Sequence, residues 1–176
     1  EFSSFARMPV PSMQSEDLSE ICREAMFLEK TRNPDIKFKT EFLKTKVQLK
    51  CDKQQISRAL SNLLKNAAES IKRCIESHKI EQDEAQIIIR ITKKQNTKNE
   101  QIIKISVVDN GIGIPAALRN NLVKPYFTTR TDGSGLGLSI VKKIMEEHGG
   151  NLTLYNRKNN GAIFNLIFKQ ESVFSD

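Results

Sequence analysis

The feature that most constrains this chain is the order of three short segments rich in asparagine, aspartate and glycine. Asn62-Leu-Leu-Lys-Asn66 places two carboxamides four residues apart, on one face of a predicted helix. Asp109-Asn-Gly-Ile-Gly-Ile-Pro115 ends an apolar, strand-like run in a carboxylate and two glycines. Thr131-Asp-Gly-Ser-Gly-Leu-Gly-Leu138 runs directly into an amphipathic helix pattern, an arrangement that binds phosphate through backbone N–H groups. Together they predict a nucleotide site.

Length and composition indicate one globular domain with a tail. The chain has 176 residues, of which 38% are hydrophobic and 28% charged, values that suit a soluble α/β protein with its own core. No apolar run approaches the roughly 20 residues that cross a bilayer, and the start lacks a signal-peptide pattern. We therefore expect this piece to be soluble, whatever the full gene product is.

Charge and cysteine content argue against two classes of function. The net charge is +7, but the basic residues are scattered, and two Tyr and no Trp offer few rings for stacking bases. We therefore expect an anionic ligand or an acidic partner, and no nucleic acid. Cys22, Cys51 and Cys74 lack both CxxC spacing and companion histidines. They are predicted to be reduced thiols, forming neither a disulfide framework nor a zinc site.

Hydrophobic periodicity predicts a two-layer α/β sandwich, a mixed sheet with helices on one face. We expect the strand at 36–40 and the extended run around Val47 and Leu49 to form an antiparallel pair, and the last two strands to form a hairpin. The predicted elements are a helix capped by Ser15 or Asp17 and ending near Lys30, those two strands, a helix from about Lys53 to Ser77, strands at 86–94 and 102–109, a short helix from Pro115 to Asn121, a helix at 136–148, and strands at 152–155 and 162–168.

The two asparagines of the first segment carry different expectations. Asn66 is polar on a largely apolar helix, and its amide oxygen is a hard, neutral ligand that suits Mg²⁺. An ordinary surface asparagine is the competing interpretation. A carboxylate at position 62 could activate water or a hydroxyl beside a γ-phosphate, whereas the amide of Asn62 cannot.

Asp109 is a candidate for recognising a base. A carboxylate at the end of a buried strand needs a hydrogen-bond donor, which the exocyclic amine of adenine supplies and the oxo group of guanine does not. Gly111 and Gly113 would let the backbone turn tightly against that base. The alternative is that this segment is an ordinary turn.

The glycine-rich segment matches neither of two common phosphate-binding patterns. It lacks the GxxxxGK[ST] spacing, and it follows an irregular stretch where the dinucleotide fingerprint needs a strand. Just before it, Phe127 could anchor a mobile lid and Arg130 could meet the γ-phosphate, although Arg130 could equally be an exposed cation. His78 and His148 are predicted to be structural or solvated.

In this order, the segments resemble the ATP-binding domain of bacterial sensor histidine kinases, within the GHKL or Bergerat superfamily. The resemblance covers about residues 15–169. The chain is most similar to nitrogen-regulation kinases of the NtrY and NtrB type. Two departures are Glu69, where many relatives have Lys or Arg, and Ala162, where many have Thr. The matching motifs are the N box at 62–69, the first glycine box at 109–115, the F box Pro125-Tyr-Phe-Thr-Thr129 and the second glycine box at 133–138.

The resemblance implies that adenine binds Asp109, Mg²⁺ binds Asn66, and the glycine-rich lid covers the phosphates. The γ-phosphoryl group would pass to a histidine on a dimerisation domain and then to an aspartate of a response regulator. The implied catalytic residues are Asn62 and Asn66. The implied ATP-binding residues are Asn62, Asn66, Asp109, Gly111, Gly113, Ile114, Phe127, Thr128, Thr129, Arg130, Gly133, Ser134, Gly135, Leu136, Gly137 and Leu138.

The resemblance also implies a domain organisation. No H-box pattern occurs in the sequence, so we expect residues 1–14 to be the end of the dimerisation hairpin or a linker, 15–169 the catalytic domain and 170–176 a tail. The fragment is then a monomer and nearly inert alone, because phosphoryl transfer depends on positioning. The full protein would be a homodimer, with this domain cytoplasmic and the parent anchored in the inner membrane.

Three competing functions remain open on the sequence alone. One is an ATP-hydrolysing or serine-phosphorylating member of the superfamily, against which Asn62 argues because those branches resemble one another in having Glu there. Another is a nucleotide-sensing or protein-interaction module without chemistry, against which the intact Asn66, Asp109 and glycines argue. A nucleic-acid binder, whose binding would depend on salt and not on ATP, is the third.

Overall fold

The structure is a computed structural model, and it describes residues 9–96, 100–115 and 136–171. The predicted short helix from Pro115 to Asn121 lies almost wholly outside these residues. Within them the elements are, in chain order, β1 (Gln14–Asp17), α1 (Leu18–Arg32), β2 (Lys37–Glu41), β3 (Gln48–Cys51), α2 (Lys53–Glu76), a 3₁₀ turn (Gln82–Glu84), β4 (Gln86–Gln95), β5 (Glu100–Asp109), α3 (Gly137–Glu147), β6 (Asn151–Asn156) and β7 (Ala162–Glu171).

A five-stranded mixed sheet forms one layer, in the order β2-β4-β5-β7-β6. β2 runs parallel to β4, and the other neighbours are antiparallel. Helix α2 packs on β4 and β5, α3 on β6 and α1 on β2, while α1 and α3 both contact α2. The predicted α/β class and mixed sheet are therefore confirmed, including the hairpin made by β6 and β7.

Helix α2 forms the centre of the helical layer because its apolar residues recur at helical spacing. Asp52 caps it, accepting a hydrogen bond from the Gln55 N–H at 2.9 Å. The helix bounds agree with the prediction to within one residue. Its fully buried apolar stripe comprises Ile56, Ala59, Leu60, Leu63, Leu64, Ala67 and Ile71.

The predicted antiparallel pair of β2 with the run around Val47 is wrong. β2 pairs with β4 in parallel, whereas β3 pairs antiparallel with β1 in a separate two-stranded sheet. A parallel partner requires a long crossover connection, and α2 supplies it between β2 and β4. β1 itself was not predicted, because its sequence, Gln-Ser-Glu-Asp, has no apolar alternation.

Two further features concern the chain as a whole. β1 begins at Gln14 and β7 ends at Glu171, so regular structure extends slightly to both sides of residues 15–169. The three cysteines are buried and free, and burial raises the pKa of Cys22 and Cys51 to about 12. None of the helices in the described ranges is long and apolar enough to cross a membrane.

Candidate functional site

A line of small polar side chains runs along α2 on the edge of its buried stripe. Asn62, Asn66 and Ser70 are spaced four apart, so each lies about 6 Å further along the same helix face. All three residues are half-buried. The sequence prediction included the two asparagines and missed Ser70, although its spacing from Asn66 was a usable signal.

One end of this line contacts the second glycine-rich segment. The Asn62 amide donates to the Arg58 carbonyl at 3.0 Å. A Cβ atom on Gly137 would lie 3.2 Å from Asn62 Oδ1, so the start of α3 approaches the asparagine closely. The N-cap residue of α3 is Leu136, whose side chain has no polar group to cap the helix. The first turn of α3 therefore presents its N-terminal dipole next to Asn62, an environment that favours an anion.

The other end of the line contacts the first glycine-rich segment. The Ile112 N–H donates to the Ser70 carbonyl at 3.3 Å. A Cβ atom on Gly111 would overlap the Ser70 hydroxyl and lie 2.5 Å from the Ser70 carbonyl carbon. Only glycine lets the turn after β5 rest directly on α2. The line on α2 thus joins the two glycine-rich segments, with Asn66 between them.

Asp109 lies at the end of β5 and is 1% exposed. Its Oδ1 accepts hydrogen bonds from the Gly111 N–H at 2.8 Å and the Ala162 N–H at 3.3 Å. Its Oδ2 is also buried, yet it has no hydrogen-bond partner among the described residues. The neighbouring Ser70 hydroxyl is likewise buried without a hydrogen bond of normal geometry. An unpaired buried acceptor is costly, so this oxygen is suited to a donor brought by a ligand.

Burial sets the protonation of this carboxyl group. Desolvation raises the pKa of Asp109 to about 6, against the hydrogen bonds from Gly111 and Ala162, the positive charge of Arg157 and the nearby Ser70 hydroxyl, all of which lower it. The carboxyl group is therefore ionised at neutral pH with little margin. A hydrogen-bond donor from a ligand would stabilise the ionised form.

The β6–β7 hairpin supports the same turn from the opposite side. The Arg157 guanidinium donates to the Asp109 carbonyl at 3.1 Å. Gly161 has φ +99°, and a Cβ atom on it would lie 2.7 Å from the Asn110 Cα. The Asn156 side chain bonds both backbone groups of Ile114, at 2.7 Å each. Sequence reasoning predicts this hairpin only as a structural ending and misses all three residues, because their contacts are remote in sequence.

The predicted site residues fall into two groups. The structure brings Gly137 against Asn62, with Leu136 and Leu138 beside Gly137 in the chain and Asn66 one turn further along α2. It places Asp109, Gly111, Gly113 and Ile114 in and just before one turn. Ile114 is buried in the core cluster. The remaining predicted residues lie outside the described ranges: Phe127, Thr128, Thr129, Arg130, Gly133, Ser134 and Gly135.

The histidines have no place in this site. His148 Nε2 accepts a hydrogen bond from the Asp52 N–H at 3.1 Å, so its Nδ1 carries the proton and donates to the Ile144 carbonyl at 2.8 Å. His148 thus joins the end of α3 to the start of α2. His78 is exposed and has φ +54°.

The amide oxygen of Asn66 is chemically suited to a magnesium ion that takes few protein ligands. Within residues 9–96, 100–115 and 136–171, no group of three His, Cys, Asp or Glu side chains is arranged to hold a metal. Mg²⁺ commonly takes only one or two protein ligands and completes its octahedron with phosphates and water. The half-buried Asn66 carboxamide, between the two glycine-rich segments, is suited to such a role.

Comparison with known proteins identifies the family of the chain. Residues 51–172 match the family described as "Histidine kinase-, DNA gyrase B-, and HSP90-like ATPase". The chain is 42% identical over 172 residues to the nitrogen regulation protein NtrY of Azorhizobium caulinodans, covering 97% of this chain and 21% of that protein. It is 28% identical over 157 residues to the sensor histidine kinase ZraS of Escherichia coli, covering 88% of this chain and 30% of ZraS. The chain therefore spans about a fifth to a third of these relatives.

Solved structures give the same result for the fold. The nucleotide-free catalytic domain of the histidine kinase ThkA superposes with a TM-score of 0.71 at 30% identity, covering 92% of this chain and 99% of that domain. The mycobacterial sensor histidine kinase MprB has a TM-score of 0.74 at 23% identity, with the same coverage of 92% and 99%. The chain belongs to the histidine kinase-, DNA gyrase B- and HSP90-like ATPase family, with the fold of a sensor histidine kinase catalytic domain.

Proposed function

We propose that this chain is the ATP-binding catalytic domain of a two-component sensor histidine kinase. It transfers the γ-phosphoryl group of ATP to a histidine on a dimerisation domain outside this chain, for relay to a response regulator. The observation that carries this proposal is the buried, unpaired Oδ2 of Asp109 at one end of the polar line on α2. The start of α3, where the Leu136 side chain has no polar group, lies at the other end.

These two ends match the two ends of ATP. The exocyclic amine of adenine donates to Asp109 Oδ2, and the phosphates lie toward the N-terminus of α3 and the glycines at 133–137. Between them, Asn66 holds Mg²⁺, which neutralises phosphate charge when bound. The proposed ATP-contacting set also includes the lid residues Phe127, Thr128, Thr129 and Arg130.

Asn62 determines which reaction this site favours. An amide cannot take a proton from water, so the domain lacks the general base that ATP-hydrolysing relatives would need at this position. The isolated chain should bind ATP and consume it very slowly. Transfer then depends on a histidine that is brought to the γ-phosphate by another domain.

The proposed partners follow because this chain binds ATP while another domain supplies the histidine. They are the histidine-bearing dimerisation domain of the same protein and a response regulator, while this piece is itself a monomer of a homodimeric parent. We assign residues 1–14 to the end of the dimerisation hairpin or a linker, 15–169 to the catalytic domain and 170–176 to a tail. The domain would lie in the cytoplasm, below a parent anchored in the inner membrane.

Phosphotransfer in trans tests the proposal. The chain is mixed with a purified histidine hairpin from the parent protein and ATP labelled on the γ-phosphate. We expect an acid-labile, alkali-stable label on the hairpin, and none with Asn66→Ala or with a hairpin lacking its histidine. ATP binding without any transfer would overturn the kinase proposal and support the nucleotide-sensing module instead.

A further inference from the structure

The β6–β7 hairpin holds both ends of the turn that follows β5. At the Asp109 end, the Ala162 N–H bonds the carboxylate and the Arg157 guanidinium bonds the carbonyl. At the Ile114 end, Asn156 makes two hydrogen bonds of 2.7 Å to the backbone. Asn156 and Ala162 are themselves register partners in the hairpin. One hairpin therefore fixes the spacing between the base-binding carboxylate and the far end of its turn.

The Asn156 side chain makes with Ile114 the two hydrogen bonds that a residue of a neighbouring strand would make. Its Oδ1 accepts from the Ile114 N–H and its Nδ2 donates to the Ile114 carbonyl, the exchange that two antiparallel residues make through their backbones. A side chain of this length can do this only if it carries both a donor and an acceptor, as an amide does. Gly113 fits tightly beneath it, since a Cβ atom there would lie 3.2 Å from Asn156 Oδ1.

We infer that Asn156 is a positioning residue for adenine binding: it holds the turn from Gly111 to Ile114 in its binding conformation before the nucleotide arrives. This inference rests on the proposed ATP site. Pre-organising a turn removes an ordering cost that binding would otherwise bear. Asn156 itself contacts the turn and not the carboxylate that meets the base.

Hydrogen exchange tests the contact without any nucleotide. In the free chain the Ile114 amide should be protected, and Asn156→Ala should raise its exchange rate at least about tenfold, because one hydrogen bond is lost. Asn165→Ala is the matched control. Asn165 is a buried amide in the same hairpin that bonds Ser106 and Thr153 on the opposite side of the sheet. It should lower the melting temperature while leaving Ile114 protected.

Calorimetric titration with ATP and Mg²⁺ tests the consequence. Asn156→Ala should weaken ATP binding about tenfold, and Asn156→Asp, which keeps the acceptor and loses the donor, should weaken it as well. Asn165→Ala should bind like the unmodified chain. Equal ATP affinity for Asn156→Ala and the unmodified chain would overturn the inference and leave the ATP site intact. Failure of the unmodified chain to bind ATP would instead overturn the proposed function.

Discussion

The carboxamide of Asn62 lies against Gly137, where an added Cβ atom would be 3.2 Å from Asn62 Oδ1. This contact joins the middle of α2 to the first residue of α3. It brings the asparagine-bearing helix within reach of whatever anion the start of α3 binds. The distance between α2 and α3 at this point therefore sets how close Asn62 lies to that anion.

Gly137→Val should weaken ATP binding by about tenfold without unfolding the protein. The larger side chain displaces the Asn62 carboxamide and separates the two helices, and overpacking of this kind costs about 1–3 kcal/mol. Calorimetric titration with ATP measures the loss. In an Asn62→Ala background the same substitution should cost much less, because the group it displaces is gone. Equal losses in both backgrounds would show that this contact does not set the affinity.

Gly111→Ala should lower the free energy of unfolding by about 3 kcal/mol, since the new Cβ atom meets the α2 backbone at the Ser70 carbonyl carbon. Urea unfolding measures this. Gly149→Ala is the comparison: Gly149 has φ +62° and its new Cβ atom would meet nothing within 4 Å, so only backbone strain applies. We expect it to cost about 1 kcal/mol. Similar costs for the two variants would argue against the close contact between the turn and α2.

Ser70→Ala should leave stability unchanged or slightly higher. The Ser70 hydroxyl is buried without a hydrogen bond of normal geometry. Removing it therefore removes the desolvation cost of a poorly satisfied polar group. ATP affinity should still fall about fivefold if this hydroxyl serves the base beside Asp109. Thermal unfolding and ATP titration of the same preparation separate the two effects. A loss of stability with unchanged affinity would assign Ser70 to the fold alone.

The stability of the free protein should depend on Asp109 between about pH 4 and 6. Burial raises the pKa of Asp109 from 3.8 to about 6, so in this range the folded state binds more protons than the unfolded state. The free energy of unfolding therefore falls as pH rises, by on the order of 3 kcal/mol from this group. Asp109→Asn should be more stable than the unmodified chain at pH 7.5 and should lose that advantage at pH 4. Parallel pH profiles of the two proteins would contradict this.

The sequence was sufficient for most of the fold because periodicity reports burial. Helix α2 could be predicted almost to the residue from its stripe and from Asp52 as its cap. The pairing of β2 and β3 could not, because two short strands with few apolar residues do not reveal their partners. Choosing between an adjacent antiparallel strand and a parallel one beyond a helix requires knowledge of the whole sheet.

The candidate site divides in the same way. Asp109 and the glycines could be recognised as candidate site residues because they lie in short continuous sequence motifs. Arg157, Asn156 and Gly161 could not, because they act through backbone atoms of Asp109, Asn110 and Ile114, which any residue type would present. Contacts of a side chain with a remote main chain leave little trace in one sequence.

Calorimetric titration of this chain with ATP and with GTP, each with Mg²⁺, tests the central claim most directly. Asp109 Oδ2 is a buried acceptor, so it should select the amine of adenine over the oxo group of guanine. We predict ATP binding, at least about tenfold weaker GTP binding, and loss of ATP binding in Asp109→Asn. Equal affinity for the two nucleotides, or full ATP affinity in Asp109→Asn, would contradict the assignment of Asp109 as the adenine-binding residue.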